Sequence, residues 1–88
     1  MTTTQGTVTE ISIRQDGLVG TLKIVDASGV NEGFVLWIDD VGAVMPFSVW
    51  VGRSLTVSLL RDAMTYKRTV ALTHDDSSAL VLMVGMSA

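Results

Sequence analysis

Cysteine is absent from this chain of 88 residues, and histidine and proline each occur once. Without cysteine there can be no disulfide, no thiol nucleophile and no cysteine-based zinc site. The absence also favours a reducing, cytoplasmic location. A single histidine, with no Gly-x-Ser-x-Gly elbow, leaves too few parts for a hydrolytic triad. We therefore expect that the protein is not an enzyme and has no cofactor.

The chain also lacks a long apolar run. No segment approaches the ~20 apolar residues that a membrane-spanning helix needs. Residues 1–6 contain neither a basic residue nor an apolar stretch, so no secretory leader is expected. Nevertheless 48% of the residues are hydrophobic, which is high for a small domain with proportionally more surface to cover. We expect no membrane contact, and we expect another protein chain to cover the excess apolar surface.

Basic residues are few: six, against nine acidic residues, for a net charge of −3. An overall field of this sign does not draw a protein to phosphate backbones, so nucleic-acid binding would need a local basic patch. The length suits one domain, residues 1–88, in which residues 1–6 are expected to form a flexible tail.

Apolar and polar side chains alternate with a period of two along most of the chain, which predicts short antiparallel strands. The predicted strands are residues 7–14, 18–25, 34–38, 54–60, 68–74 and 79–86. Residues 41–51 contain Pro46, which disfavours a continuous helix. We expect this segment to cross as one helical turn or an irregular stretch closed by Gly52, with a short strand at 47–51 as the alternative.

Three local signals shape the first hairpin. A β-bulge near Thr9 and Glu10 would bring the apolar side chains of the first strand to one face. Asp16-Gly17 predicts a type I′ turn, because both residues tolerate a positive φ. Gly20 lies on the apolar row of the second strand, which indicates tight curvature or a close approach by another backbone.

The order of these elements predicts an all-β fold, either a small barrel of five to six strands or a curled antiparallel sheet. A hairpin, a third strand, a crossing segment and a second hairpin follow one another as in an OB-fold barrel. We therefore favour an OB-like order, with an SH3-like barrel as runner-up. This is a likeness of pattern, and no family motif accompanies it.

Half of the basic residues lie together in a predicted turn at residues 61–67 and the start of the next strand. Arg61, Lys67 and Arg68 flank the single tyrosine, Tyr66. Cations neutralise phosphates, and an aromatic ring stacks on a base for ~1–3 kcal/mol. In an OB barrel this loop would join the fourth and fifth strands, where oligonucleotides are often held. The competing interpretation, which we favour, is a solvated turn.

Two further polar clusters resemble metal sites only superficially. His74, Asp75 and Asp76 are consecutive, and successive strand side chains point to opposite faces, so the three cannot converge. The loop at 26–33 is rich in oxygen ligands and glycine, but it lacks the ligand spacing of a calcium loop. No helix follows its glycines to form a phosphate site. We predict no metal site.

The last predicted strand, residues 79–86, contains no polar side chain. In a strand with one solvent-exposed face, polar and apolar side chains would alternate, and here they do not. A strand of this kind would aggregate if it were left uncovered, so we expect another chain to cover it. Trp37 is expected on an outer surface, more than Trp50, although both are also candidates for the core or for a small-molecule site at the barrel mouth. The predicted interface residues are Leu80, Leu82, Val84 and Trp37.

These observations favour a non-enzymatic protein-interaction module, either a homo-oligomer or a small subunit of a complex. The alternative is an OB-like domain that binds single-stranded nucleic acid. Its predicted contacts are Arg61, Tyr66, Lys67 and Arg68.

Overall fold

The computed structural model describes residues 1–40, 42 and 44–86. Val41 and Ala43, in the predicted crossing segment, lie outside the described residues. Along the chain the elements are β1 (Thr2–Ile13), β2 (Val19–Val25), β3 (Asn31–Ile38), α1 (Phe47–Thr65), β4 (Thr69–His74) and β5 (Val81–Met86).

The five strands form one antiparallel sheet in the order β3-β2-β1-β4-β5. The sheet curls until its two edge strands touch at a single parallel bridge between Val35 and Leu80. There the Val35 amide donates a hydrogen bond to the carbonyl of Ala79 over 2.9 Å. The result is a curled sheet and not a closed barrel. The predicted curled all-β architecture is confirmed, with one helix between β3 and β4.

The first hairpin confirms the predicted bulge and corrects the predicted turn. The register between β1 and β2 shifts between Val8 and Glu10. At the turn, Gly17 is left-handed with φ 75° but Asp16 is not, so the turn is not type I′. The Asp16 carboxylate instead accepts hydrogen bonds from the Leu18 amide and from the Arg14 guanidinium. The Asp16 side chain therefore stabilises this turn, whereas the Asp16-Gly17 sequence had predicted a turn with two left-handed residues.

The N-terminal tail predicted at residues 1–6 is also corrected. From Thr2 onwards the chain is part of β1, and Thr2 to Thr7 pair with β4 in continuous register from His74 to Thr69. The segment has no apolar alternation, so its sequence carried no strand signal. Backbone pairing to a distant strand fixes its conformation.

The predicted strand at 54–60 and the predicted turn at 61–67 are wrong, because α1 runs through both. The helix begins directly after Pro46, whose φ of −57° suits an entry into a helix. Gly52 does not close the segment but lies within α1. Among the described residues, no helix has the length and apolar character needed to cross a membrane.

Packing explains why these residues are helical. Leu60 and Ala63 are both completely buried, and their three-residue spacing places them on one helical face. A strand would have buried Leu55, Val57 and Leu59 on one side, whereas Leu55 is exposed. The buried cluster unites α1 with one face of the sheet, and its members are Val8, Leu22, Ile24, Phe34, Leu60, Ala63, Val70 and Leu72.

Candidate functional site

Strand β5 presents apolar side chains to solvent. Leu80, Leu82, Met83 and Met86 are 43%, 54%, 64% and 38% exposed. Val84 is half-buried and packs against the core. β5 pairs with β4 on one side. On its other side, the described residues provide no strand partner beyond the Leu80 bridge. Of the predicted interface residues, Leu82 and Val84 thus lie on the strand with an open edge, whereas Leu80 lies just before it, at the bridge to β3.

The outward face of α1 carries a second apolar row. Phe47, Val51 and Leu55 are each four residues apart and therefore lie on one side of the helix. All three are exposed, Phe47 by 81% and Leu55 by 66%. We refer to these three residues with β5 as the apolar surface. It was only half visible in the sequence, because the row on α1 depends on a helix that the pattern did not predict.

A cleft of about 330 Å³ lies between β5 and the sheet-facing side of α1, and the exposed row on α1 does not line it. Gly52 and Thr56 of α1 line one wall, Leu36 of β3 lines its end, and residues 81–84 of β5 line the other wall. The cleft therefore occupies the gap in the curled sheet where β3 and β5 separate after their single bridge.

Arg53 fixes α1 beside this cleft. Its guanidinium carbon lies 4.9 Å from the ring centroid of Trp37 and 5.5 Å from that of Trp50. Both terminal nitrogens hydrogen-bond the carboxylate of Asp39, one of them over 3.0 Å. Cation–π contacts of this kind contribute ~0.5–2 kcal/mol each. The stack therefore ties the first half of α1 to the end of β3.

The Arg53–Asp39 pair also cancels the charge next to the cleft. The two side chains are only 16% and 7% exposed. Hydrogen bonds from Arg53 hold the pKa of the Asp39 carboxyl below its ordinary value. Because the guanidinium is already engaged by a carboxylate and two rings, it is not a free anion-binding group.

Trp37 is buried, contrary to its expected place on an outer surface. It is 9% exposed, whereas Trp50 is 40% exposed, so the expected ranking of the two is reversed. The cause is a register shift: Gly20 pairs with Trp37 but Thr21 pairs with Val35, which leaves Leu36 as an extra residue. This bulge inverts the alternation of β3 and turns Trp37 inward.

Once turned inward, Trp37 packs directly on Gly20. A Cβ at Gly20 would lie 2.9 Å from a ring carbon of Trp37, so the group that approaches this glycine is a side chain and not the backbone that was predicted. The indole nitrogen of Trp37 donates to the Gly17 carbonyl over 3.0 Å. The tryptophan therefore joins β3 to the first hairpin.

Trp50 borders a second hollow of about 310 Å³, with Ile13, Gly17 and Val57 among its lining residues. It is the nearest counterpart of the small-molecule site considered at the barrel mouth. Every buried side-chain polar atom in the described ranges has a hydrogen-bond partner. The hollow therefore offers no unpaired buried polar group to a ligand.

The four predicted nucleic-acid contacts lie together, but not on a hairpin tip. Arg61 is on the last turns of α1, Tyr66 is the C-cap residue, and Lys67 and Arg68 lead into β4. All four are exposed.

The loops that usually grip oligonucleotides in OB folds lie elsewhere and are not basic. The β1–β2 turn pairs Arg14 with Asp16. The β4–β5 connection begins with Asp75 and Asp76.

His74 and the loop after β2 have structural roles. The His74 ring is buried, with Nδ1 2.8 Å from the Asp75 carbonyl and Nε2 2.8 Å from the Thr4 hydroxyl. The Asp26 carboxylate accepts hydrogen bonds from the amides of Ser28 and Val30, which closes its loop. No group of three or more potential metal ligands occurs in the part of the chain that the structure describes.

Comparison with known proteins adds no relative to this description: no family model, curated protein or solved structure matches the chain. Functional inference therefore depends on the geometry of the apolar surface and its cleft.

Proposed function

We propose that this chain is a non-enzymatic protein-interaction module that assembles through the apolar surface, as a homo-oligomer or as a small subunit of a complex. The observation that carries the proposal is the exposure of Leu82 and Met83 on the open-edged strand β5, together with that of Leu80 directly before it. Large contiguous apolar patches are rare on monomers and mark interaction sites.

Charge distribution supports the same surface. Residues 79–86 contain no charged side chain, and between residues 47 and 60 the one charged side chain is Arg53, which is paired with Asp39. The cores of protein interfaces are depleted in charge and enriched in large apolar side chains. The absence of cysteine fits a cytoplasmic setting, which we include in the proposal.

Light scattering coupled to size exclusion tests the proposal. We expect the purified chain to show a mass above its monomer value of 9.4 kDa at micromolar concentration. Leu82→Glu should shift the population to monomer, because it places a desolvated charge in the interface. Val30→Glu is the matched control, since Val30 is 51% exposed but lies in the β2–β3 loop. A monomer at every concentration, with no change in Leu82→Glu, would contradict self-association.

A second candidate function is single-stranded nucleic-acid binding by Arg61, Tyr66, Lys67 and Arg68. It is favoured by one observation: the three basic side chains are exposed and form no ion pair among the described residues.

Titration with short labelled single strands tests this candidate. Binding should weaken steeply with salt, with a log–log slope near −0.7 for each phosphate neutralised. Replacing the three basic residues with glutamine should remove both the binding and the slope. Absence of binding at about 50 mM salt would end this candidate.

A further inference from the structure

The cleft lies along the backbone edge of β5. Successive strand side chains point to opposite faces, so a cavity on one face touches alternate residues. This cleft touches residues 81–84 consecutively. It therefore follows the side of the strand from which amide and carbonyl groups project. β3 lies close to β5, but among the described residues its one backbone bridge to this edge is Val35–Leu80, just before β5. The backbone groups of β5 beyond that bridge are therefore open to an incoming strand.

The wall opposite β5 leaves room for such a strand. Gly52 lies within α1 and lines the cleft, and a Cβ added there would meet nothing within 4 Å. Glycine in a helix interior lowers helix stability relative to alanine. In the described part of the chain no side chain packs against Gly52 in a way that requires a glycine, so its small size favours a close approach from outside.

Charge favours a second copy of this chain as the occupant. Each copy carries a net charge of −3, so self-association requires a contact from which acidic residues are missing. The uncharged segment 79–86 meets that requirement. In an antiparallel pair of identical strands, a charge close to the twofold axis would lie near its own copy and repel it. Edges that must remain unpaired usually carry such a charge.

The size of a stable interface requires α1 as well. A typical complex buries about 800 Å² on each partner, roughly one-seventh of this chain's 5696 Å². An edge of six residues is only about 20 Å long, so paired backbones alone do not reach that area. To reach that area, the partner must extend past Gly52 onto the outer side of α1, where Leu55, three residues further along the helix, is 66% exposed.

From these observations we propose that β5 of one copy pairs antiparallel with β5 of a second copy across a twofold axis, with the clefts of both copies closed by the pairing. This inference rests on the proposed function. It specifies the partner and the geometry, and it requires a closed dimer because one edge of each copy is consumed.

Single-cysteine cross-linking tests the geometry, since the chain has no native cysteine. Cysteine is placed in turn at Leu80, Leu82, Met83, Val84 and Met86, and each variant is oxidised mildly. Residues facing each other in antiparallel strands have Cα atoms ~4.5–5.5 Å apart, within disulfide range. We expect strong dimer cross-linking at one position or at two neighbours close to the axis, and little at the ends.

Val30→Cys, in the β2–β3 loop, is the cross-linking control and should remain monomeric on denaturing gels. A chain that scattering shows to be dimeric but that cross-links at no β5 position would overturn strand pairing while leaving the proposed function intact. A chain that is monomeric by scattering would overturn both. Trimers or larger species would also exclude the closed twofold pair.

Gly52→Ala separates the interface from folding. Within one copy the new methyl group meets open space, so the unfolding midpoint of the monomer should stay unchanged or rise. If the partner strand approaches Gly52, the dimer Kd should rise about tenfold. Gly33→Ala is the control, because a Cβ there also meets nothing within 4 Å and Gly33 does not line the cleft. An unchanged Kd in Gly52→Ala would show that no partner strand approaches this wall.

Discussion

Substituting Gly20 with alanine tests the packing that positions Trp37. A Cβ at Gly20 would lie 2.9 Å from Cζ2 of Trp37 and 3.0 Å from two further ring carbons. The obstacle is a rigid ring held by a hydrogen bond and by Arg53, and not the flexible end of a side chain. Alanine at this position therefore forces the ring or the β2 backbone to move.

The expected cost follows from the contacts that are lost. Overpacking of a well-packed site costs ~1–3 kcal/mol, and loss of the Trp37 hydrogen bond to Gly17 adds ~0.5–1.5 kcal/mol. The conformational gain from replacing glycine offsets ~0.4–1 kcal/mol of this. Gly20→Ala should therefore lower the free energy of unfolding by about 2 kcal/mol, within a range of ~0.5–4 kcal/mol. For a chain of this size a loss of about 2 kcal/mol corresponds to a fall in Tm of roughly 8–16 °C.

Thermal and urea unfolding at one protein concentration measure this effect, and tryptophan emission reports the ring. The emission should shift to the red as Trp37 moves towards water. Gly33→Ala is the matched control, because Gly33 is also in a strand and a Cβ there meets nothing within 4 Å. If Gly20→Ala and Gly33→Ala unfold at the same midpoint with wild-type emission, the inferred contact between Gly20 and Trp37 is wrong.

Two further substitutions test the helix and its ion pair. Leu60→Ala should cost ~2–5 kcal/mol in chemical unfolding because Leu60 is fully buried, whereas Leu55→Ala should change the stability of the monomer by less than ~0.5 kcal/mol; the reverse order would favour a strand. Asp39 has a folded pKa below its ordinary value because of Arg53. Its stabilisation is therefore complete above about pH 4 and is lost as pH falls through the lowered pKa. The stability advantage of wild type over Asp39→Asn should accordingly shrink on acidification, and a constant difference from pH 6 to pH 2 would contradict the linkage.

The parts of the fold that depend on neighbouring residues could be predicted from the sequence. The bulge in β1 follows from a break in the alternation of its own apolar residues. The first hairpin follows from Asp16-Gly17, and the need for a small residue at Gly20 follows from its place on an apolar row. Each signal lies within a few residues of the structure it determines.

Helix α1 could not be predicted in the same way, because its apolar residues fit both the two-residue repeat of a strand and the 3.6-residue repeat of a helix. Leu55, Val57 and Leu59 alternate as in a strand, while Leu60 and Ala63 share a helical face. The choice between them is made by distant partners. Arg53 looks like a surface residue until Asp39 supplies its counter-charge and Trp37 supplies its stacking face.

The candidate site likewise has one part that the local sequence predicts and one part that it does not. The β5 half of the apolar surface is visible in composition alone, since residues 79–86 contain no polar side chain. The α1 half, beginning with Phe47, is visible only after the segment is known to be helical. Trp37 was misplaced because the bulge at Leu36 inverts the parity on which its assignment depended.

Strand β1 has two partners that lie at very different distances along the chain, β2 nearby and β4 far downstream. The C-terminal half of β1 can pair with β2 as soon as the first hairpin closes. Its N-terminal half, Thr2 to Thr7, can pair only after β4 has been synthesised, because its partners are Thr69 to His74. About 67 residues lie between the start of β1 and the start of β4. At a synthesis rate of ~5–20 residues per second, β4 is therefore made roughly 3–13 s after β1. During that interval an unpaired strand edge is open on the nascent chain. Residues 2–5 read Thr-Thr-Thr-Gln, so the waiting edge offers no large apolar side chain to a neighbouring chain.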